Sequence, residues 1–250
     1  PMLTEERHSY ILKKLKEEGI VKSQDIIREL NCSESTVRRD LILLEDAGHL
    51  KRIHGGAKRV YDLDEELSVV EKSAKNVQEK TLIARYAASL IKENDVIYLD
   101  AGTTTLAMIP FLNKNITVVT NGVQHASLLV DQQLRVYLLG GVVKNTTKAI
   151  VGVNSVSELK KYRFTKAFLG INGIDEEYGC TTPDPEEALL KYTAIQQSSN
   201  SYVLSDHSKW GKVNFAKVCD LDEVTIITDQ IKHLKNHNIF ENATILEAIS

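Results

Sequence analysis

The chain has 250 residues, 42% hydrophobic and 26% charged, proportions that exclude wholesale disorder and allow one large domain or two unequal ones with a core that needs no disulfide or structural metal. No apolar run approaches the ~20 residues needed to span a bilayer, and the opening Met2-Leu3-Thr4-Glu5-Glu6-Arg7 lacks the basic-then-apolar plan of a signal peptide. The formal net charge of −3 is unevenly spread: residues 1–60 hold 12 Lys+Arg against 10 Asp+Glu, and the other 190 hold 19 against 24. A small basic module attached to an acidic body is therefore expected. Three cysteines, Cys32, Cys180 and Cys219, are odd in number and lack CxxC spacing. They fit a reduced, cytoplasmic protein and argue against a thiolate zinc site. Pro1 precedes a methionine and is read as foreign to the native start.

Residues 5–17 read as a helix, with Ile11, Leu12, Leu15 and His8 on one side of the wheel, Thr4 as N-cap and Gly19 as stop. Ser23 is expected to cap a second helix, residues 24–30, that buries Ile26, Ile27 and Leu30. After a short Asn31-Cys32 turn, Ser33 caps a third, residues 34–47, ended by Gly48. The two last helices stand at helix-turn-helix spacing. In the third, Val37, Leu41 and Leu44 form the buried stripe, Ser35 and Arg39 lie opposite, and Arg38 flanks them. That arrangement suits a recognition helix, whose guanidiniums can bond guanine edges in the major groove while Ser33, Ser35 and Thr36 bond phosphates or bases. Exposed arginines on an ordinary amphipathic helix would read the same way.

Residues 50–60 add two short basic strands around a Gly-Gly turn. Three helices and a basic hairpin make a winged helix, with Lys51, Arg52, His54, Lys58 and Arg59 of the wing beside phosphates. The run Ser35-Thr36-Val37-Arg38-Arg39-Asp40-Leu41, followed by Leu44-Glu45, Gly48 and His54-Gly55-Gly56-Ala57, resembles the signature of the DeoR family of bacterial sugar-metabolism regulators. The resemblance implies DNA binding by residues 1–60. Asp40, beside the buried stripe, is expected to orient Arg38, Arg39 or the wing.

Residues 61–70 are acidic, without apolar period, and read as a linker to a domain spanning 71–250. Residues 72–92 read as one helix with Ile83, Ala87 and Leu90 inward. Six apolar runs then read as strands: Val96-Ile97-Tyr98-Leu99, Ile116-Thr117-Val118-Val119, Val136-Tyr137-Leu138-Leu139, Ala167-Phe168-Leu169, Tyr202-Val203-Leu204 and Val224-Thr225-Ile226-Ile227. Helices fit at 104–112, 123–130, 186–197 and 230–236. This is an α/β pattern with a mostly parallel sheet covered on both faces, and its ligands should sit outside the carboxyl ends of the strands.

Polar and glycine loops follow those strands, and five on one rim suggest a site. Gly102-Thr103-Thr104-Thr105 opens a helix and offers N–H groups and hydroxyls to an anion. It lacks Walker A spacing, so ATP is not implied. Asp100 would repel a phosphate and is expected to bond sugar hydroxyls, as is Asn121. Lys209 would balance the phosphate charge, and Lys191 could assist or simply be solvated. Gly122, Gly140, Gly141 and Gly173 complete the candidate ligand set.

These loops also resemble the DeoR-type sensor domain, which is similar in fold to ribose-5-phosphate isomerase, glucosamine-6-phosphate deaminase and CoA transferases. The resemblance, over about residues 3–235, implies a repressor of a sugar uptake or catabolism operon with a sugar phosphate as inducer. The Met2-Leu3-Thr4-Glu5-Glu6-Arg7-His8 start and the overall pattern look most like fructose-operon repressors, which implies fructose 1-phosphate. The expected partners are double-stranded operator DNA and a sugar phosphate effector, fructose 1-phosphate or another hexose phosphate, with a homodimer or homotetramer on repeated half-sites, no membrane, and no cofactor or metal. The alternatives are an isomerase or deaminase carrying a DNA-binding module, with Asp100, Glu186, Glu187, Asp206 and His207 as proton-transfer candidates, and a constitutive DNA binder with a vestigial body. No HExxH or GxSxG motif is present.

Overall fold

The computed structural model describes residues 2–61, 63, 66–112, 115–234 and 239–249. The chain divides into two compact units, Pro1–Asp62 and Leu63–Ser250.

In the first unit, α1 (Thr4–Glu18), β1 (Ile20–Lys22), α2 (Ser23–Leu30), α3 (Glu34–Asp46), β2 (Leu50–Ile53) and β3 (Gly56–Arg59) enclose a core of Ile11, Leu15, Val21, Ile26, Val37, Leu41, Leu44, Leu50 and Ala57. Ser33 caps α3, its hydroxyl accepting the Thr36 N–H at 3.2 Å, and Gly48 leaves the helix at φ +80°, where a side chain would be strained. The wing is three-stranded, in the order β1-β3-β2. Strand β1 is too short to show in the sequence pattern. Thr4 and Ser23 are first helical residues rather than caps. The N-cap positions belong to Leu3 and Lys22, neither with a capping side chain, and the Leu3 N–H instead donates to Glu6 at 2.9 Å.

Asp40 departs most from expectation. It is only 2% exposed because it lies one turn from Val37 on the stripe that packs against α1. It accepts two bonds from the Arg7 guanidinium, at 2.7 and 3.1 Å, and contacts His8 Nε2 at 3.1 Å. It therefore fastens α3 to α1 and does not orient Arg38, Arg39 or the wing.

The second unit contains, in chain order, α4 (Val69–Ser73), α5 (Val77–Ser89), β4 (Val96–Leu99), α6 (Thr103–Met108), β5 (Thr117–Thr120), α7 (Val123–Asp131), β6 (Arg135–Leu138), β7 (Val142–Val143), β8 (Ile150–Val151), α8 (Val153–Leu159), β9 (Phe164–Gly170), β10 (Gly173–Asp175), β11 (Gly179–Thr182), α9 (Pro185–Gln196), β12 (Ser198–Leu204), β13 (Ala216–Cys219), β14 (Thr225–Thr228), α10 (Ile239–Asn242) and β15 (Thr244–Glu247). Seven strands form one parallel sheet in the order β15-β14-β12-β9-β4-β5-β6. Alternation along β9 shows why the runs lack polar gaps: Phe168 faces one apolar layer, with Ile97, Leu99 and Ile83, and Leu169 faces the other, with Tyr98, Leu190 and Ile226.

Several elements differ from the sequence reading. The helix expected at 72–92 is broken into α4 and α5 at Asn76, which sits at φ +51°. The helix expected at 104–112 ends α6 at Met108 and tightens into a three-ten turn, Ile109–Phe111, because Pro110 has no N–H for the α-helical ladder. Of the helix expected at 230–236, a three-ten turn, Lys232–Leu234, is described, and residues 235 and 236 lie outside the described residues. So do Asp62, Asp64 and Glu65 of the acidic segment.

The loop after β4 is braced from beneath. Thr105 is fully buried. Its hydroxyl accepts the Gly102 N–H at 3.0 Å and donates to Asp100 O. Asn121 Oδ1 accepts the Ala101 N–H at 3.0 Å while its Nδ2 donates to Ile150 O at 3.1 Å. His125, from α7, bonds Gly102 O through Nε2 at 2.9 Å, and burial pushes its pKa down to about 4 from 6.5.

Two outcomes follow. An imidazole that stays neutral when folded but protonates freely when unfolded makes the unfolded chain the greater proton binder between pH 6.5 and 4. Stability should fall as pH drops through that window, by about 2 kcal/mol from pH 7 to pH 5. Urea melts at both pH values should show this increment in the native chain and lose it in His125→Gln; equal pH dependence in both would refute it. Asp40→Ala removes the shared partner of Arg7 and His8 at the α1–α3 contact and should lower the melting temperature of the first unit, whereas Arg38→Ala should leave the melt within about 0.5 kcal/mol.

Candidate functional site

Chain order runs from β4 through β5 to β6 on one side of the sheet and from β9 through β12 to β14 on the other. β4 and β9 are neighbours, so the order reverses between them, and a crevice opens at their carboxyl ends. Gly102 and Gly170 meet there: a Cβ on Gly102 would stand 3.4 Å from the Gly170 Cα. A pocket at this point is lined by Gly102, Thr103 and Thr104 after β4, by Gly170, Ile171 and Asn172 after β9, and by Ser205, Asp206, Ser208 and Lys209 after β12.

Charge distinguishes this pocket. Lys72, Lys75, Lys80, Lys191, Lys209 and Lys212 line it, against the carboxylates Glu187 and Asp206. Burial lowers the pKa of Lys72, helped by the positive charges of Lys191 and Lys209. It also lowers that of Lys80, with Lys209, Lys72 and Lys75 adding to the effect. Burial raises the pKa of Glu187 against the opposing pull of Lys191 and Lys144. Glu187 accepts the Thr147 hydroxyl at 3.0 Å. Asn172 Oδ1 accepts the Thr182 hydroxyl at 2.9 Å, which leaves its amide donors directed elsewhere. A surface with six lysines, of which Lys80 and Lys191 are buried, two threonine hydroxyls and polar amides can hold an anion joined to a hydroxyl-bearing body.

The expected ligand residues separate into three groups. Gly102, Thr103, Thr104 and Lys209 line the pocket, and Lys191 joins them. Asp100, Thr105 and Asn121 lie beneath it. Asp100 is 2% exposed; it binds Lys191 and accepts the Gly170 N–H at 3.0 Å, so it positions a cation and a strand end instead of reaching a sugar. Gly122, Gly140, Gly141 and Gly173 are not brought to the pocket. Gly122 packs on His125, and β5 and β6 carry Gly122, Gly140 and Gly141 away from the reversal point. Gly141, at φ +151°, would press a Cβ to 2.3 Å from Ser155 Oγ, and Gly173 would press one to 2.3 Å from Lys212 O. Their glycines answer packing needs. Lys72, Lys75, Lys80 and Lys212 escaped the sequence reading, since lysines on short helices and loops look like solvated surface until the chain folds them together.

In the first unit, α3 presents exposed Ser35, Arg38 and Arg39, with Ser33 and Thr36 joined by a 2.8 Å hydroxyl contact at its start. In the wing, Lys51 pairs with Lys58 across β2 and β3. Side chains alternate across a strand, so these two share the outward face with Ile20 and Ile53. Arg52 and Arg59 fall on the other face. Arg52 Nε bonds Glu45 Oε2 at 2.6 Å, tying the wing to α3 and holding the Glu45 carboxyl below its ordinary pKa. Arg59 lies 4.7 Å over the Tyr61 ring. His54 is exposed in the turn. The cations that α3 and the wing leave outward are therefore Arg38 and Arg39 on the helix and Lys51 and Lys58 on the strands, while Arg52 is tied to Glu45 and Arg59 lies against Tyr61.

Residues 7–62 match the DeoR-like helix-turn-helix domain and residues 75–230 the DeoR C terminal sensor domain. The chain is 48% identical over 250 residues to the uncharacterized HTH-type transcriptional regulator FruR of Bacillus subtilis, covering 99% of each. It is 37% identical over 227 residues to the lactose phosphotransferase system repressor of Staphylococcus aureus, covering 89% of this chain and 90% of that protein. Among solved structures, ribose 5-phosphate isomerase A of Methanocaldococcus jannaschii aligns with 54% of this chain and 55% of its own length at a TM-score of 0.42 and 17% identity. The two relatives are named as a transcriptional regulator and a repressor, and this chain belongs to the DeoR family of DNA-binding transcriptional regulators.

Proposed function

We propose that the chain is a cytoplasmic repressor of a sugar uptake or catabolism operon whose operator affinity is set by a phosphorylated sugar in the lysine-lined pocket. The observation that carries this reading is the gathering of six lysines, Lys72, Lys75, Lys80, Lys191, Lys209 and Lys212, around Thr103 and Thr104 at the reversal point of the sheet. A phosphate beside those threonines and Lys209 would relieve the mutual repulsion of the ammonium groups. The sugar hydroxyls would meet Asn172, Thr147 and Glu187. Similarity to the lactose phosphotransferase system repressor supports repression of a transport operon, and the resemblance of residues 2–8 to fructose-operon repressors supports fructose 1-phosphate as effector.

Arg38 and Arg39 read bases, while Lys51, Lys58 and the hydroxyls of Ser33, Ser35 and Thr36 contact phosphates, with Arg52, His54 and Arg59 along the rim. One winged helix reads a short site, so a homodimer or homotetramer on repeated half-sites supplies the specificity.

Operator binding titrated in parallel with fructose 1-phosphate, fructose 6-phosphate, tagatose 6-phosphate, glucosamine 6-phosphate and unphosphorylated fructose tests the reading. One phosphate should change operator affinity by about 5–150-fold, and fructose should change nothing. No response to any of the four phosphates would refute it for these effectors. Thr103→Val should keep operator affinity but lose the response. Arg39→Ala should weaken operator binding by ~1–3 kcal/mol and relax base preference at one position in a randomised-operator selection; an unchanged preference would remove Arg39 from the base-reading set.

A further inference from the structure

Residues 66–76 follow closely on the DNA-binding unit Pro1–Asp62, and they form one wall of the pocket: Leu67, Lys72, Lys75 and Asn76 all line it. The way this wall is held is unusual. None of its side chains is fully buried, so it contributes nothing to either apolar layer. Its helix, α4, has five residues, too few to be stable alone.

Its attachments are polar. Glu66 bonds Lys144 Nζ through both carboxylate oxygens, at 3.0 and 2.9 Å. The Val69 N–H donates to Thr146 O at 2.9 Å. Lys80 Nζ donates to Lys72 O. Asn76 Nδ2 donates to Asp206 Oδ1 at 3.2 Å and to Ser208 Oγ at 3.3 Å. Lys144 also pairs with Asp184 at 2.6 Å and reaches Glu187 at 3.5 Å, so the residue that ties down Glu66 also touches a carboxylate of the pocket.

Against these contacts stands electrostatic repulsion. Lys72 and Lys75 on this wall share the pocket with Lys80, Lys191, Lys209 and Lys212 on the body, with Glu187 and Asp206 among them as counter-charges. A segment held by a few hydrogen bonds and by only partial burial of Leu67 and Val69 opens at low free energy. An anion between the two sets of lysines reverses the sign of the interaction.

We propose that residues 66–76 are an anion-closed strap: an effector phosphate docks the strap on the sensor body through Lys72 and Lys75, and the docked state is passed along the chain to the DNA-binding unit. The inference rests on the sugar-phosphate reading of the pocket and adds to it the element that transmits occupancy. The Glu66–Lys144 tie sets how much of the strap is docked before the effector arrives. An effector that binds the docked state has an apparent affinity reduced by the undocked fraction. Glu66 itself does not line the pocket and acts as a positioning residue.

Hydrogen exchange on the intact chain, with and without saturating fructose 1-phosphate, reads the strap directly, and an operator-binding titration of Glu66→Gln reads the tie. Backbone amides of residues 67–76 should gain protection at least about tenfold on adding the effector. In Glu66→Gln the effector concentration for half-maximal change in operator affinity should rise about fivefold, with the saturated plateau kept. A native chain that responds to the effector in operator binding while its strap amides exchange at an unchanged rate overturns the strap. So does a Glu66→Gln chain whose half-maximal concentration equals that of the native chain. A native chain that does not respond to any of the four sugar phosphates in operator binding fails at the earlier step, the sugar-phosphate reading.

Discussion

Six ammonium groups cannot share one crevice at no cost. Lys72, Lys75, Lys80, Lys191, Lys209 and Lys212 converge where the sheet reverses its order, and burial already disfavours the charged forms of Lys72 and Lys80. Asp100 neutralises Lys191 from below, and Glu187 and Asp206 offset part of the remainder. This concentration of lysines, more than any single residue, is the basis for proposing an anionic ligand. On the proposed reading it would favour a dianion over a neutral sugar.

The two sides of the crevice are built differently. Beneath Gly102 and Thr103, the loop after β4 is pinned by Thr105, Asn121 and His125, all buried and all bonded to its backbone. Opposite, residues 66–76 carry cationic side chains on a segment tied by ion pairs and isolated hydrogen bonds. On the proposed reading, a stiff floor would fix where a phosphate sits, and a loosely held wall would register its presence. The same separation holds in the first unit. There the Arg7–Asp40 pair and the Arg52–Glu45 pair are spent on holding α1, α3 and the wing together, and Arg38, Arg39, Lys51 and Lys58 remain on the outside.

The elements legible from sequence were those with a strong local cause. Ser33 and Gly48 bracket α3 because a hydroxyl cap and a left-handed glycine each have one local explanation. Strands such as β4 and β14 are buried on both faces and read as unbroken apolar runs. Asp40 carried a signal that was read in the wrong direction: a carboxylate one turn from Val37 on a buried stripe demands a cation from the packed partner helix, which Arg7 supplies. Glycines after strands were ambiguous for a physical reason. Gly102 gives close approach to Gly170 beside the pocket, whereas Gly141 and Gly173 give close approach to neighbouring chain elsewhere. The pocket lysines were hidden because lysine stems pack along any surface, and only the topology brings α4, α5 and the loop after β12 to one place. β15 and α8 are short and marked by no cap or turn that separates them from their surroundings.

Capture of an anion by lysines held partly against their charge is tested most directly by calorimetric titration of the intact chain at pH 9. Fructose 1-phosphate and fructose would be compared in two buffers of different ionisation heat. The phosphate ester is already dianionic at that pH, its second pKa being about 6, so any proton exchanged on binding belongs to the protein. Binding of the phosphate with net proton uptake, and no measurable binding of fructose, is the expected result. Binding of both sugars with equal affinity, or of the phosphate with proton release, would contradict it.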